Sequence, residues 1–286
     1  MNIGIIGLGL IGGSLAKALK KYTNHYVYGQ DILSDVCQQA IDEDSIDEIL
    51  TPATYHKCQV ILVALYPHLA IDVISSHVED IAKGTLVVDC CGVKQSICTA
   101  LWPLAKQYGF TFIGGHPMAG VENFGYSAAI PELFQGASMI LTPESDLDHV
   151  VEAQAEQLFL SIGFNRICRC TPQEHDRMIA YTSQLAHVVS SAYVQSPAAM
   201  KHLGFSAGSF QDMTRVAKLN EAMWVELFVT NKQYLLEELT GLITRLQLFA
   251  TAISDEDKDA LWHLLHEGRA IREQINHLQY SAEENQ

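Results

Sequence analysis

The sequence predicts an α/β protein in which a doubly wound parallel sheet is followed by an all-helical part. Three observations lead there. In the first half, short apolar runs alternate with amphipathic stretches, as strands alternate with crossover helices. A glycine-rich turn, GLGLIG at residues 7–12, joins the first apolar run to the first helical pattern. Beyond about Thr171 no strand pattern remains, and helical periodicity continues to about Tyr280.

The runs at 2–6, 25–28, 60–65, 85–89, 111–113 and 138–141 read as strands, short and rich in β-branched and other apolar residues. Between them, 12–20, 33–42, 70–78 and 146–162 place apolar residues at helical spacing. The change of pattern sets a boundary near Arg169, giving parts 1–168 and 169–286. No low-complexity linker separates them, so a shared interface is expected. The last residues, SAEENQ, read as a frayed polar tail.

Composition narrows the function. A chain of 286 residues buries a large core in one or two domains. With 48% hydrophobic and 18% charged residues it is globular rather than disordered. Eighteen basic against 33 acidic side chains give a net charge of −15, which speaks against nucleic acid or an anionic membrane as partner. A site for an anionic small molecule must gather its cations locally. The longest apolar run, VILVALYPHLAIDVI, is broken by Pro67, His68 and Asp72, too soon to span a bilayer. MNIGIIGLG enters the strand pattern without a basic, apolar leader, so a cytoplasmic location is expected. Seven cysteines without a CxxC pair read as free thiols, and no metal site is expected. A redox role for vicinal Cys90 and Cys91 is the alternative.

The glycine turn carries the clearest chemistry. Gly7 permits a tight turn, Gly9 lets backbone approach a pyrophosphate, and Gly12 lets the helix pack closely on the strand. Leu8, Leu10 and Ile11 complete the loop, whose helix N-terminus faces the phosphate charge. The next strand, HYVYGQD, ends in Asp31, 24 positions after Gly7. An acid there accepts hydrogen bonds from ribose hydroxyls and repels a 2′-phosphate, which favours NAD over NADP. Ala64, closing the 60–65 run, is counted with the cofactor-binding residues.

Three further stretches hold polar groups in apolar surroundings. In IGGHPMAG (113–120), His116 ends a buried run between Gly114, Gly115 and Pro117. The glycines are expected to admit cofactor or substrate to the backbone, and the proline to hold the ring's direction. In TPQEHDRMIAYTSQLAHVVSSAYV, Thr171, Pro172 and Glu174 form a helix start with a capping box. Asp176, Ser183 and His187 then fall in one narrow band at 3.6 residues per turn. Such a stripe is either a site wall or a satisfied polar network. In GSFQDMTRVAKLNEAMW, Arg215 offers a planar fork to a carboxylate, or pairs with Asp212.

Together these stretches resemble the prephenate and arogenate dehydrogenases of tyrosine biosynthesis. The resemblance covers nearly the whole chain, through GLGLIGGSLAKAL, DCCGVKQ, GGHPMAGVENFG, EHDRMIAYTSQLAH and GSFQDMTRVA with its following MW. It implies a Rossmann-type domain, an all-α dimerisation domain and an active site in the cleft between them, in the compact form without a regulatory domain. It implies a homodimer and NAD-dependent oxidative decarboxylation of prephenate to 4-hydroxyphenylpyruvate, or of arogenate to tyrosine. By the resemblance His116 is the catalytic histidine, with Arg215 and His187 beside it. Ser183, Glu122, Asp176, Gly208, Trp224 and Gly92 match positions of the substrate cleft or its support. Gly92 departs from the serine that many members carry. Gln184 and Ala186 depart from a SHLPH pattern, and Gln211 stands where some members have lysine. These departures bear on substrate preference and rate. Two rivals follow: a hydroxyacid or imine-reducing dehydrogenase, whose helix-borne lysine has no counterpart from Asp176 to His187, and a non-catalytic NAD-binding sensor.

Overall fold

The computed structural model describes residues 1–121 and 123–284, with side chains as far as residue 278. The chain divides into two compact units, Met1–Leu235 and Leu236–Gln286.

The first unit holds eight strands: β1 (Asn2–Ile6), β2 (Tyr26–Gln30), β3 (Glu48–Ile49), β4 (Val60–Val63), β5 (Leu86–Asp89), β6 (Thr111–Pro117), β7 (Ser138–Thr142) and β8 (Arg166–Arg169). They form one sheet in the order β3-β2-β1-β4-β5-β6-β7-β8. Every pairing is parallel except β6 with β7. Among the described residues, the connection from β6 to β7 holds a 3₁₀ turn, Tyr126–Ala128, and no crossover helix, so an antiparallel return is the natural pairing. The helices are α1 (Leu10–Tyr22), α2 (Ser34–Asp42), α3 (Pro52–Tyr55), α4 (Pro67–Ser76), α5 (Gln95–Tyr108), α6 (His149–Ser161), α7 (Pro172–Ile179), α8 (Leu185–Val194), α9 (Gly208–Thr214), α10 (Glu221–Thr230), α11 (Lys232–Ser254) and α12 (Lys258–Glu284).

Central strands β4 (VILV) and β5 (LVVD) are buried throughout, because helices cover both faces. Alternate residues feed two cores. Val60, Leu62 and Val88 join Leu15 and Leu19 of α1 and Phe159 of α6. Ile61, Val63 and Val87 join Ile74 of α4 and Ile97 and Leu101 of α5. The doubly wound sheet and the helical continuation expected from the sequence are therefore both present. Two edge strands escaped the sequence reading. β3 has only two residues, and β8 (RICR) is bounded by exposed arginines, so neither offers an apolar run.

The capping box forms as expected: Thr171 Oγ1 accepts from the Glu174 amide at 3.2 Å, and Glu174 Oε2 accepts from the Thr171 amide at 2.8 Å. The helix it starts is not uniform. A π-helical turn, Ala180–Gln184, joins α7 to α8. The inserted turn breaks the 3.6-residue period on which the expected Asp176–Ser183–His187 stripe depends.

The glycine pair before His116 also has a different reason from the one expected. A Cβ at Gly114 would fall on Thr142 Oγ1 and lie 2.7 Å from Cys98 Sγ. At Gly115 it would fall on the Asp89 carbonyl and lie 2.7 Å from Met139 Cε. The space is taken by the protein's own neighbouring strands and helix, not left open for a ligand.

In the second unit, α11 exposes Leu236, Ile243 and Leu246, and α12 exposes Trp262, Leu265 and Ile271. Among the described residues no helix is long and apolar enough to cross a membrane, and no group of three or more His, Cys, Asp or Glu could hold a metal ion.

Because the obstacle at Gly115 is backbone of β5, Gly115→Ala should destabilise the fold by about 1–3 kcal/mol or more, the usual range for overpacking. Urea unfolding checks this. An unchanged midpoint would restore the reading that the glycines clear space for a ligand.

Candidate active site

The glycine turn is built by contacts on every side. Gly7 lies at φ +90°, a region that favours glycine, and its amide donates to the Gln30 carbonyl at 2.8 Å. A Cβ there would approach the Ala64 carbonyl to 2.6 Å, at the end of β4. A Cβ at Gly12 would overlap the Gly7 carbonyl and lie 3.1 Å from Ala64 Cβ. The helix thus packs directly on the strand ends. At Gly9, the N-cap of α1, a Cβ would meet nothing within 4 Å, and no side chain caps the helix. The first amides of α1 therefore face open space, the arrangement that binds a phosphate.

Asp31 lies just after β2. Its Oδ2 accepts from the amide of buried Leu8 at 2.8 Å, and Oδ1 from the Leu33 amide at 3.0 Å. Two amides thus aim the carboxylate, and each oxygen keeps capacity for another donor. The turn, the open helix end and the aimed acid fit a dinucleotide with an unsubstituted ribose.

A second constellation surrounds His116, which sits half-buried near the end of β6. Its Nδ1 lies 2.9 Å from Nε2 of His175 on α7. His175 Nδ1 lies 2.7 Å from Asp176 Oδ1. Asp176 is buried and fully engaged: Oδ1 accepts from the Lys94 amide at 2.7 Å, and Oδ2 from the Gln95 amide at 2.9 Å. These amides open α5, where the helix dipole favours an anion. Asn231 Nδ2 donates to the Asp176 backbone carbonyl and to Gln184 Oε1, both at 2.8 Å.

Beneath lies an ion pair between Lys94 and Asp89, both 0% exposed. Asp89 also accepts from the amides of Cys91 at 2.8 Å and Gly115 at 3.0 Å. Burial alone would push the Lys94 ammonium down, but Asp89 beside it holds it above the ordinary lysine value. Burial pushes His116 well below 6.5, and the neighbouring His175 and Lys94 add to that. Burial lowers His175 too, against its hydrogen bond to Asp176. Both shifts favour the neutral ring.

A third group gathers around α8. His187 Nδ1 donates to the Val216 carbonyl at 2.9 Å, and its ring lies 3.8 Å, centroid to centroid, from Trp224 of α10. Burial lowers the His187 pKa, the Val216 hydrogen bond opposes this, and the charge of Arg215 adds to the lowering. Arg215, itself exposed, opens the 3₁₀ turn Arg215–Ala217 after α9.

The sequence-predicted residues thus fall into sets. Gly7, Leu8, Gly9, Leu10, Ile11, Gly12, Asp31 and Ala64 converge on the glycine turn. His187, Trp224 and Arg215 come together. Asp176 does not share a wall with His187: the π turn separates them, and its carboxylate is spent on α5 and His175. Ser183 lies half-buried in the π turn, and Gly208 is the exposed first residue of α9. A Cβ at Gly92 would meet Leu227 Cδ2 at 3.3 Å. Gln184 is buried in the helix network with Asn231. Glu122 lies outside the described residues. The sequence reading missed His175, Lys94 and Asp89. The available signals were a histidine directly before Asp176, and an Asp and a Lys five apart around DCCGVK.

Fold and site define a dinucleotide-binding α/β protein with a helical continuation and a half-buried histidine at the C-terminal end of β6. Two family descriptions match the chain: the prephenate dehydrogenase nucleotide-binding domain over residues 15–167, and the prephenate dehydrogenase dimerization domain over 171–267. The chain belongs to the prephenate dehydrogenase family. It is 29% identical over 280 residues to a prephenate dehydrogenase of Lactococcus lactis, covering 94% of this chain and 76% of that protein. The Synechocystis arogenate dehydrogenase structure is similar at TM-score 0.81 and 28% identity, covering 96% of this chain and all of the other. The A. aeolicus prephenate dehydrogenase in complex with hydroxyphenyl propionate and NAD+ gives TM-score 0.84 and 26% identity, covering 96% and 98%.

Removing one partner of a buried ion pair strands the other. Lys94→Met should destabilise the protein by about 3–5 kcal/mol, whereas exposed lysines should not. Chemical denaturation measures it, and a loss under about 1 kcal/mol would mean that Asp89 finds another donor.

Proposed function

We propose that this protein is an NAD-dependent prephenate dehydrogenase, converting prephenate to 4-hydroxyphenylpyruvate by oxidative decarboxylation. The observation that carries the reading is His116: a neutral imidazole, held at Nδ1, at the end of β6 in a chain of this family. NAD, when bound, supplies the hydride acceptor. The glycine turn and the start of α1 hold its pyrophosphate, and Asp31 takes the ribose hydroxyls and disfavours a 2′-phosphate.

His116 takes the proton of the ring hydroxyl as the carbinol carbon is oxidised. Carbon dioxide then leaves, the electron pair of the broken C–C bond stays in the ring, and aromatisation drives the step. Arg215 binds a substrate carboxylate through its fork. With Nδ1 given to Val216, neutral His187 presents Nε2 as an acceptor to a substrate group. Ser183, Gly208, Trp224 and Glu122 are assigned to substrate binding. Asp176 supports the site through His175. Gly92 is assigned to the same site, next to Leu227.

We also assign residues 1–168 to the cofactor domain and 169–286 to the substrate and dimerisation domain, a homodimer, and a cytoplasmic location. The family description of the second region and the exposed apolar positions of α11 and α12 support the dimer. Likeness to an arogenate dehydrogenase structure keeps one second reading, in which the side-chain amine replaces the keto group.

NADH formation from NAD with prephenate, then with arogenate, decides between these readings; no turnover with either would leave the sensor reading. His116→Asn should fold and bind NAD while kcat falls by about 10²–10⁴, the range for a lost general base. The base works only unprotonated, and its pKa is depressed. In the pH profile, kcat/KM should therefore stay level from pH 8 down through 6.5 and fall only at lower pH; a limb at 6.5 or above would contradict the assignment. Asp31→Asn should weaken NAD about tenfold, the loss of one charged hydrogen bond, and narrow the gap to NADP. Titration of both cofactors reads this out.

A further inference from the structure

We propose that His175 is a positioning residue that fixes the tautomer of His116, leaving His116 Nε2 bare and ready to accept a proton. This deepens the reading of His116 as the base and rests on it.

The polarity follows from what each atom can do. The Asp176 carboxylate receives two backbone amides, from Lys94 and Gln95, at the start of α5. Both oxygens thus act as acceptors at a helix start, and an ionised carboxylate only accepts. His175 Nδ1, 2.7 Å from Asp176 Oδ1, must therefore carry the proton and donate. A neutral imidazole holds one N–H, so His175 Nε2 is a lone pair. Nε2 lies 2.9 Å from His116 Nδ1, which must in turn donate. The single proton of neutral His116 is then on Nδ1, and Nε2 is free.

The opposite polarity would need His175 to be charged. A buried imidazolium, also repelled by the Lys94 ammonium, is disfavoured, although Asp176 partly offsets the cost. A histidine side chain in water prefers the Nε2–H form, so the buried chain His116–His175–Asp176 inverts that preference. It also stops rotation of the His116 ring. The logic is that of a base oriented by a third group, with a second imidazole between base and carboxylate. Both ends are fixed: Asp176 by the start of α5 and by Asn231, and Gly115, beside His116, by Asp89.

The test uses full-length protein labelled with ¹⁵N-histidine, with long-range ¹H–¹⁵N correlations read at neutral pH. His116 is assigned by the signal lost in His116→Asn, and the same spectra report folding. In the wild type, His116 should be protonated at Nδ1 and bare at Nε2. In His175→Phe, the acceptor is gone and His116 should shift mainly to Nε2–H. Its kcat should fall about 10–100-fold, part of what a general base supplies, with KM within about threefold. His175→Gln returns an amide oxygen near the former Nε2. It should restore the Nδ1–H form and recover most of kcat. The proposal fails if wild-type His116 is protonated at Nε2, if His175→Phe keeps both tautomer and kcat, or if the Gln variant folds but loses as much as the Phe variant. Absence of turnover in the wild type would overturn the proposed reaction, while the tautomer measurement would still decide the role of His175.

Discussion

The buried carboxylate of Asp176 is the interaction on which the site depends. Its two oxygens take the opening amides of α5, and one of them also takes His175, which holds His116. One side chain therefore ties a helix of the sheet region to the helix that follows the last strand, and sets the direction of a ring on β6. A buried charge is costly unless every lone pair is used, and here each oxygen has a donor.

A second buried charge lies directly below. Lys94 contributes its amide to Asp176 and its ammonium to Asp89, so one residue serves both networks. Asp89 returns the connection to β6 through the Gly115 amide. A buried pair is weak evidence for net stability, because desolvation offsets much of the attraction. Its value here is geometric. It fixes the ends of β5 and β6 against α5, and so fixes where His116 begins.

The departures from the family pattern fall into place beside these networks. A Cβ at Gly92 would press on the Leu227 side chain, 3.3 Å from its Cδ2. The Leu227 carbonyl accepts from Gln184 Nε2 at 3.3 Å, and Gln184 Oε1 accepts from Asn231, which also holds the Asp176 carbonyl. Gly92 and Gln184 therefore both meet at Leu227. His116 has its hydrogen-bond partner in His175, which reaches the ring from α7.

The sequence alone determined the alternation of strands and helices, because buried parallel strands demand continuous apolar runs and glycine turns have few substitutes. It also located the cofactor turn, whose three glycines, following helix and distant Asp31 are local features of one βαβ unit. It missed β3 and β8, where edge exposure removes the apolar signal. It read Asp176, Ser183 and His187 as one stripe, since a π turn leaves no mark in a hydrophobic pattern. It assigned the glycines before His116 to a ligand, although the neighbouring strand claims that space. Only the tertiary structure decided the partners of His116. His175 is 59 residues away along the chain, and Lys94 is 82 from Asp176, so no local spacing encodes their meeting. Hydrogen-bond direction is a property of atoms brought together, and it exists only once the fold has closed.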